Sequence, residues 1–222
     1  MKPALRDVLK SAARLQAVVP DAVLVGGAAA AFHARHRDSF DHDHVIGDLT
    51  ERFDTTLDNL EALGEWSLAR AIPRRIILGS LGGIESGIRQ MRRTRALEIV
   101  EVEIDGELLR VPTLEETLRI KAWLALSRNQ TRDYLDIAAL AARLGIAAAA
   151  VVLAHVDDYY SELNDRPDPL ATQLVRQLGD PRPRDPRTTK ELKHYKRLSP
   201  EWQSWEEVRK TCAALARAMV ES

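Results

Sequence analysis

The chain has 222 residues, of which 45% are hydrophobic and 29% are charged. This composition is typical of a globular protein and excludes disordered, collagen-like and coiled-coil rod classes. The 32 Lys and Arg residues nearly balance 33 Asp and Glu residues, so the net charge of -1 excludes a uniformly basic nucleic-acid-binding protein. The single cysteine, Cys212, permits no intramolecular disulfide and predicts a reducing, cytoplasmic location.

Two apolar stretches bear on membrane association. Residues 1–18 place apolar side chains at helical spacing between basic ones, which predicts an amphipathic helix and not a signal peptide. Residues 137–156 form the most apolar window, but Arg143, Gly145 and His155 interrupt it and alanine predominates. We therefore expect two packed helices that join at Gly145, and no membrane partner.

Strand and helix patterns are mixed in the first half of the chain. A short buried strand at 22–25 ends at Gly26-Gly27, and a helix of small residues follows over 28–35. The next predicted elements are a strand at 40–46, a helix at 53–63, strands at 66–72 and 74–78, a loop at 79–83, and strands at 97–104 and 108–111. Asp105-Gly106 between the last two strands predicts a hairpin turn.

The pattern becomes helical after Pro112. Thr113 and Glu116 have the spacing of a capping box, which predicts the start of a helix. A loop rich in Pro and Arg over 179–187 interrupts the helical pattern, and Ser199-Pro200 predicts the start of a last helix. The predicted fold class is α+β, with a small mixed sheet over 1–112 and a mostly helical half over 113–222.

Two features of the first half favour phosphate and metal chemistry. Gly26-Gly27 at a strand-to-helix turn would let a ligand approach the backbone, and the helix N-terminus attracts anions. In a strand, Asp41 and Asp43 project from one face and the intervening histidines from the other. Paired carboxylates repel each other unless a cation such as Mg²⁺ lies between them. One helix fits between the glycines and the strand, so the two features are expected to be neighbours.

The run over 24–43 resembles the signature of polymerase-β-type nucleotidyltransferases, and in particular of the AbiEii-type group. That group includes toxins of bacterial toxin–antitoxin and abortive-infection systems. Ser39 lies two residues before the first Asp, as is common in the group. A second stretch, over 121–136, resembles a later motif of the same group, and the likeness covers about 20–140.

The resemblance implies a Mg²⁺- or Mn²⁺-dependent enzyme that moves an NMP from an NTP to an acceptor. The implied acceptor is the 3′ end of tRNA, and the implied partner is a cognate antitoxin protein. The implied site consists of metal ligands Asp41 and Asp43, phosphate-binding Gly26, Gly27 and Ser39, triphosphate-binding Lys121 and Arg128, and Asp133, which would orient Lys121 or help to activate the acceptor.

Members of the wider superfamily usually add a third carboxylate from a neighbouring strand. Alternation along 97–104 puts Glu101 and Glu103 on one face, and the sequence does not choose between them. Without either residue, metal binding would depend on the two aspartates alone.

Several alternatives stay open at this point. His33, His36, His42 and His44 permit a zinc site. Arg132 and Asp136 have the spacing of a surface ion pair, and the basic clusters at 89–95 and 182–197 would suit either a phosphate backbone or plain solvent exposure. The alternative functions are a non-catalytic nucleotide- or RNA-binding module and an antitoxin-like partner protein.

Overall fold

The computed structural model describes residues 3–221 and forms two compact units. The first unit comprises the residues up to Phe32 together with Asp38–Thr113. The second unit comprises His33–Arg37 and the residues from Leu114 onward. A five-residue segment from within the first half of the sequence therefore belongs to the helical unit.

Strands and helices of the first unit follow the predicted order except for β5, which was not predicted. Its elements are α1 (Pro3–Val18), β1 (Val23–Val25), α2 (Gly26–Ala34, which ends in the second unit), β2 (Asp41–Ile46), α3 (Phe53–Glu61), β3 (Trp66–Ile72), β4 (Ile76–Leu81), β5 (Ile84–Gln90), β6 (Ile99–Ile104) and β7 (Glu107–Pro112).

Five strands form one mixed sheet in the order β1-β2-β5-β4-β3. Strands β2 and β5 are parallel, and the other neighbouring pairs are antiparallel. Strands β6 and β7 form a separate two-stranded hairpin. Its turn has positive φ at Asp105 and Gly106, as a tight two-residue hairpin requires.

Helix α1 supplies apolar side chains to two clusters of the first unit. Leu5 and Leu9 pack in one cluster with the alanines of α2 and with Leu109 of β7. Leu15 packs in the other cluster, beside the sheet and α3. The small side chains of α2 allow close packing, which explains why an alanine-rich helix is stable here.

Helices make up the second unit. They are α4 (Leu114–Arg128), α5 (Thr131–Leu144), α6 (Ile146–Ala154), α7 (Asp157–Tyr160), α8 (Leu170–Gly179), α9 (Pro186–Lys190) and α10 (Trp205–Glu221), with 3₁₀ turns at Ser161–Leu163, Leu192–His194 and Pro200–Trp202. Helix α10 packs against α5, α6 and α8, which makes it central to this unit. The α+β class is confirmed: a mixed sheet lies towards the N-terminus and a mostly helical half follows.

The predicted loop over 79–83 is wrong. Strand β4 continues to Leu81, the turn is confined to Gly82-Gly83, and β5 begins at Ile84. Gly79 lies within the strand, and a Cβ there would lie 2.4 Å from the Ser67 carbonyl oxygen and 2.5 Å from the Trp66 ring. Packing, not a turn, therefore requires this glycine.

The predicted start of the last helix is also wrong. Ser199 precedes only a short 3₁₀ turn, Pro200–Trp202, and α10 begins at Trp205. By contrast, the predicted break at Gly145 is confirmed, because α5 ends at Leu144 and α6 begins one residue later.

No single helix within residues 3–221 is long and apolar enough to cross a membrane. Helices α5 and α6 meet the criterion of length and composition only as a pair, and they are bent by 118°.

Replacing Gly79 with Ala tests the packing of β4 against β3. The added methyl group would overlap backbone and indole atoms, so we expect the free energy of unfolding to fall by about 1–3 kcal/mol. The matched control is Gly179→Ala at the end of α8, where a Cβ would meet nothing within 4 Å. Urea unfolding of both variants is the measurement, and equal stability of the two would contradict the close approach.

Candidate active site

Strand β2 separates two kinds of side chain. Its burial alternates, so Asp41 and Asp43 are partly exposed while His42 and His44 are buried. Alternation is expected of a strand with one face on the core. The predicted separation of carboxylates from imidazoles is therefore confirmed.

Glycines flank the carboxylate of Asp43 on both sides. Asp43 is the register partner of Val25 on β1 and of Gly87 on β5. A Cβ on Gly26, which has φ +73°, would lie 3.3 Å from Asp43 Oδ2. A Cβ on Gly87 would lie 2.8 Å from Asp43 Oδ1. The glycine turn and the aspartate pair are neighbours, as predicted, and the space around the carboxylate depends on missing side chains.

Each aspartate has a polar neighbour in the first unit. The Ser39 hydroxyl donates to Asp41 Oδ1 at 3.3 Å, and Ser39 itself is fully buried. The Ser39 hydroxyl thus orients Asp41 in this structure. Arg89 Nε lies 3.7 Å from Asp43 Oδ1, and both side chains are partly exposed. A guanidinium at this distance reduces the repulsion between the two carboxylates.

The opposite face of β2 holds the two histidines, both buried. His42 Nε2 lies 3.0 Å from Ser11 Oγ and 2.9 Å from Ser86 Oγ. Burial lowers the pKa of His42 to about 4 and holds the pKa of His44 well below 6.5. Both rings are therefore neutral at pH 7.

The chemistry of the aspartate pair fits a hard divalent cation. Mg²⁺ prefers oxygen ligands and is commonly held by one or two carboxylates together with substrate phosphates. Asp41 and Asp43 supply such oxygens on one face, beside a glycine turn at the N-terminus of α2, and helix N-termini attract anions. Within residues 3–221, no group of three His, Cys, Asp or Glu side chains has the geometry to hold a metal ion. The zinc site stays a hypothesis.

Glu101 and Glu103 do not stand on the strand beside the aspartates, contrary to expectation. Strand β6 pairs with β7, whereas the neighbours of β2 are β1 and β5. Glu101 Oε1 lies 3.2 Å from Arg110 Nε across the hairpin. The sequence pattern did not predict β5, the strand that lies beside β2, and β6 was therefore expected in that place.

The carboxylate that sequence reasoning missed is Glu85. It is the register partner of Asp41 on the parallel strand β5, and its side chain is exposed. Register partners in a parallel pair project from the same face, so Glu85 shares a face with Asp41. Its only sequence signal was the weak alternation of 84–90, which contains a glycine in the middle.

The second unit contains a buried ionic cluster centred on Asp136. His36 Nε2, Arg37 Nε and Lys121 Nζ lie 2.7, 2.8 and 2.7 Å from its carboxylate oxygens. Burial raises the pKa of Asp136, but Arg37, Lys121 and His36 outweigh it and hold that pKa well below 3.8. Burial also lowers the pKa of His36, so that ring is neutral at pH 7. The expected surface pair of Arg132 and Asp136 is wrong, because Asp136 points into the core.

Three residues of the second predicted motif lie in this cluster. Lys121 is 1% exposed, and its ammonium group lies 3.8 Å from the fully buried Asp133. Arg128 Nε and Nη2 each donate to Asp133 at 2.7 Å. The predicted closeness of Lys121 and Asp133 is therefore present, and Arg128 joins them. A contact of Lys121 or Arg128 with a triphosphate stays a prediction.

His36 and Arg37 belong to the cluster although sequence reasoning gave them no such role. Four consecutive polar residues, 36–39, are buried in the structure. A polar run of this kind requires partners when it is buried, but the sequence does not reveal whether it is buried.

Comparison with solved structures identifies the fold. A candidate nucleotidyltransferase from H. pylori matches all of this chain and 96% of its own, with a TM-score of 0.55 and 14% identity. The antibiotic-resistance factor ANT(2'')-Ia in solution matches 73% of this chain and 96% of its own, with a TM-score of 0.52 and 14% identity. A crystal structure of ANT(2'')-Ia with adenylyl-2''-tobramycin gives a TM-score of 0.50 at 14% identity, over 69% of this chain and 97% of its own. The chain thus has a nucleotidyltransferase-like fold.

Comparison of sequences finds relatives among mycobacterial transport proteins. The heme uptake protein MmpL11 of Mycobacterium tuberculosis is 32% identical over 238 residues, which cover 98% of this chain and 23% of that protein. The mycolic acid-containing lipids exporter MmpL11 of Mycolicibacterium smegmatis is 38% identical over 134 residues, which cover 59% of this chain and 13% of the exporter. The chain therefore spans less than a quarter of the length of these relatives. No family model matches it.

Replacing Asp136 with Asn tests the buried cluster. Loss of the charge would leave buried cations uncompensated, so we expect the free energy of unfolding at about pH 7 to fall by about 3–5 kcal/mol. Since the folded pKa of Asp136 lies below its unfolded value, the contribution is present above about pH 4 and is lost as pH falls further. The difference between wild type and variant should therefore hold from about pH 7 to about pH 5 and narrow below about pH 4.

The control is Asp165→Asn, whose side chain is 95% exposed and lies 4.0 Å from Arg166. We expect a change within about 0.5 kcal/mol for that variant. Urea unfolding across the pH range compares the two, and a small effect of Asp136→Asn would contradict the central place of this carboxylate.

Proposed function

We propose that the chain is a divalent-metal-dependent nucleotidyltransferase that moves an NMP from an NTP to a hydroxyl acceptor. The observation that carries the proposal is the Asp43 carboxylate between Gly26 and Gly87, on the same face as Asp41. Glycines at both positions leave room for the Asp43 carboxylate itself, which thereby lies beside the glycine turn on the face that it shares with Asp41. The nucleotidyltransferase-like fold supports the proposal, and the geometry of the aspartate pair supplies its chemistry.

Each candidate site residue of the first unit has a role in this proposal. Asp41 and Asp43 would hold Mg²⁺ or Mn²⁺, which supplies neutralisation of charge on the transferring phosphate groups. The N-terminus of α2 at Gly26-Gly27 offers backbone N–H groups to phosphate oxygens. Ser39 orients Asp41 through its hydroxyl, and Arg89 beside Asp43 adds positive charge near the phosphates. Glu85 is our preferred third carboxylate because it shares a strand register with Asp41.

Lys121, Arg128 and Asp133 enter the proposal through the motif over 121–136. We infer that Lys121 and Arg128 bind the triphosphate and that Asp133 orients them, which its contacts with both cations support. The finer identity of the reaction comes from the resemblance alone. It makes the acceptor the 3′ end of tRNA and the protein a cytoplasmic toxin with a cognate antitoxin.

A second candidate function has its own supporting observation. A part of the MmpL11 proteins aligns with 98% of this chain in the relative described as a heme uptake protein and with 59% of it in the relative described as a lipids exporter. A nucleotide-binding module without turnover, serving a membrane transport protein, would suit that relationship. Such a module would keep the glycine turn and the aspartate pair for NTP binding.

Transfer of label from α-³²P-labelled NTPs to bulk tRNA tests the first function. We expect Asp41→Asn and Asp43→Asn each to lower the rate by about a hundredfold or more, because each removes a charge that stabilises the transition state. The matched control is Asp54→Asn, an exposed carboxylate on α3 in the same unit, for which we expect an unchanged rate. Transfer that survives both site variants would contradict the metal role of the pair.

Three further variants identify the third carboxylate. We expect Glu85→Gln to lower transfer, and Glu101→Gln and Glu103→Gln to leave it intact, because β5 is the strand beside β2. The opposite result would restore the hairpin residues as ligands. If calorimetry shows that the wild-type protein binds NTP, but no pyrophosphate is released with any acceptor tried, the result would favour the transporter-associated module.

A further inference from the structure

A strongly basic segment lies on the surface of the second unit. Residues 181–198 contain seven Lys or Arg and two acidic residues, although the whole chain has a net charge of -1. One of the acids, Asp185, accepts hydrogen bonds from Thr131 N and Thr131 Oγ1, both at 2.8 Å. That carboxylate is therefore engaged with α5, and the outward charge of the segment is positive.

Hydrogen bonds and buried leucines hold this segment in place. Arg184 N donates to the Asn129 carbonyl at 2.8 Å, and Ser199 N donates to the His36 carbonyl at 2.8 Å. Leu192 and Leu198 are buried in the unit. The basic side chains thus project from a backbone of defined conformation, which distinguishes the segment from a disordered basic tail.

An open cleft with a volume of about 320 Å³ lies along this segment. Its lining residues are Arg187, Thr188, Glu191, His194 and Tyr195. The Arg37 guanidinium lies 5.8 Å from the centroid of the Tyr195 ring, within the range of a cation–π contact. Asp136 in turn holds Arg37 at 2.8 Å, so the tyrosine is supported by the buried cluster.

Charge around the cleft favours a phosphate ligand. Within the described residues, the exposed side chains of Arg184, Lys190 and Lys193 form no ion pair. The Arg187 Nε lies 3.4 Å from Glu191 Oε1, and both side chains are largely exposed. Three cations without carboxylate partners attract a polyanion and repel a cationic acceptor.

The chemistry of the lining favours a single-stranded nucleic acid over a membrane surface. Tyr195 and His194 offer rings on which an unpaired base can stack, and a duplex would hide its base faces. Glu191 would repel a phosphate but can accept a hydrogen bond from a ribose 2′-hydroxyl. The exposed large apolar side chains of the described chain all lie outside this segment, so it has no apolar anchor for a lipid bilayer.

We propose that this cleft and the exposed lysines next to its lining residues in the sequence bind single-stranded RNA, with phosphates on Arg187, Lys190 and Lys193 and a base stacked on Tyr195. The inference deepens the proposed function, on which it rests for the class of acceptor. It assigns a binding surface for that acceptor to the helical unit.

Fluorescence anisotropy with a labelled single-stranded 12-mer RNA, in the absence of NTP and divalent metal, tests the charge contribution. We expect the triple variant Arg187→Gln, Lys190→Gln, Lys193→Gln to bind at least about tenfold more weakly at about 0.1 M salt. Each phosphate contact on a single strand contributes about 0.7 to the slope of log K against log salt, so the slope should fall by about 2. The control is the triple variant Arg70→Gln, Arg74→Gln, Arg75→Gln, which removes equal charge from exposed residues of the first unit.

Two variants of Tyr195 test the stacking contribution. We expect Tyr195→Leu to weaken RNA binding about fivefold or more, and Tyr195→Phe to retain it, because stacking needs only the aromatic ring. Circular dichroism confirms that both variants are folded. Equal binding by the leucine and phenylalanine variants would overturn the stacking role.

Three outcomes would overturn the inference, and each is separable from failure of the proposed function. Equal losses in the two triple variants would mean binding by net charge alone. Binding of duplex RNA as tightly as the single strand would remove the role of the base. The third outcome is that the wild-type protein binds no RNA but sediments with vesicles of phosphatidylcholine and phosphatidylserine, and that the Arg187, Lys190 and Lys193 variant does not sediment with them. That result would reassign the surface to a membrane. Since the binding assay contains neither NTP nor metal, Asp41→Asn should leave RNA binding unchanged, whereas in the separate transfer assay it should lower the rate by about a hundredfold or more.

Discussion

Alternation along strand β2 is the constraint on which the rest of the first unit depends. Four polar residues in a row can enter a sheet only if one pair is buried neutral and the other remains near solvent. His42 and His44 take the core face, where burial suppresses their charge. Asp41 and Asp43 then share the other face, and their mutual repulsion creates a demand for positive charge. The exposed carboxylate pair and the buried histidine pair are thus consequences of one register.

Glycine placement makes room for the Asp43 carboxylate in that register. Gly26 at the start of α2 and Gly87 on β5 both lie where a side chain would come within 3.3 Å of the Asp43 carboxylate. Only Gly26 could be identified from the sequence, because it adjoins another glycine at the end of a predicted strand. Gly87 stands in the middle of a strand, where glycine ordinarily weakens pairing. Its closeness to Asp43 accounts for a choice that β-propensity alone disfavours.

The second unit is organised by a different kind of constraint. Asp136 and Asp133 are fully buried and are compensated by Lys121, Arg37 and Arg128. Buried ion pairs contribute little net stability over apolar packing, but they permit few alternative arrangements. The cluster holds the His36–Arg37 segment, and through Arg37 it also supports Tyr195 at the basic cleft. The near-zero net charge of the chain is thus the sum of an acidic pair on β2, a buried cluster in which charges compensate each other, and a basic surface segment.

By itself, the sequence determined the α+β class, the separation of aspartates and histidines onto opposite faces of β2, the Asp105-Gly106 hairpin and the helix break at Gly145. Each of these depends on local periodicity or on the backbone preferences of one or two residues. Tertiary structure alone decided that Gly79 and Gly87 are strand residues, that β5 and not β6 lies beside β2, and that Asp136 is buried. These features depend on contacts between residues far apart in the chain: Ser67 and Trp66 for Gly79, Asp43 for Gly87, and His36 and Arg37 for Asp136. Strand order and the burial of a charge follow from such long-range contacts, which no local pattern of residues encodes.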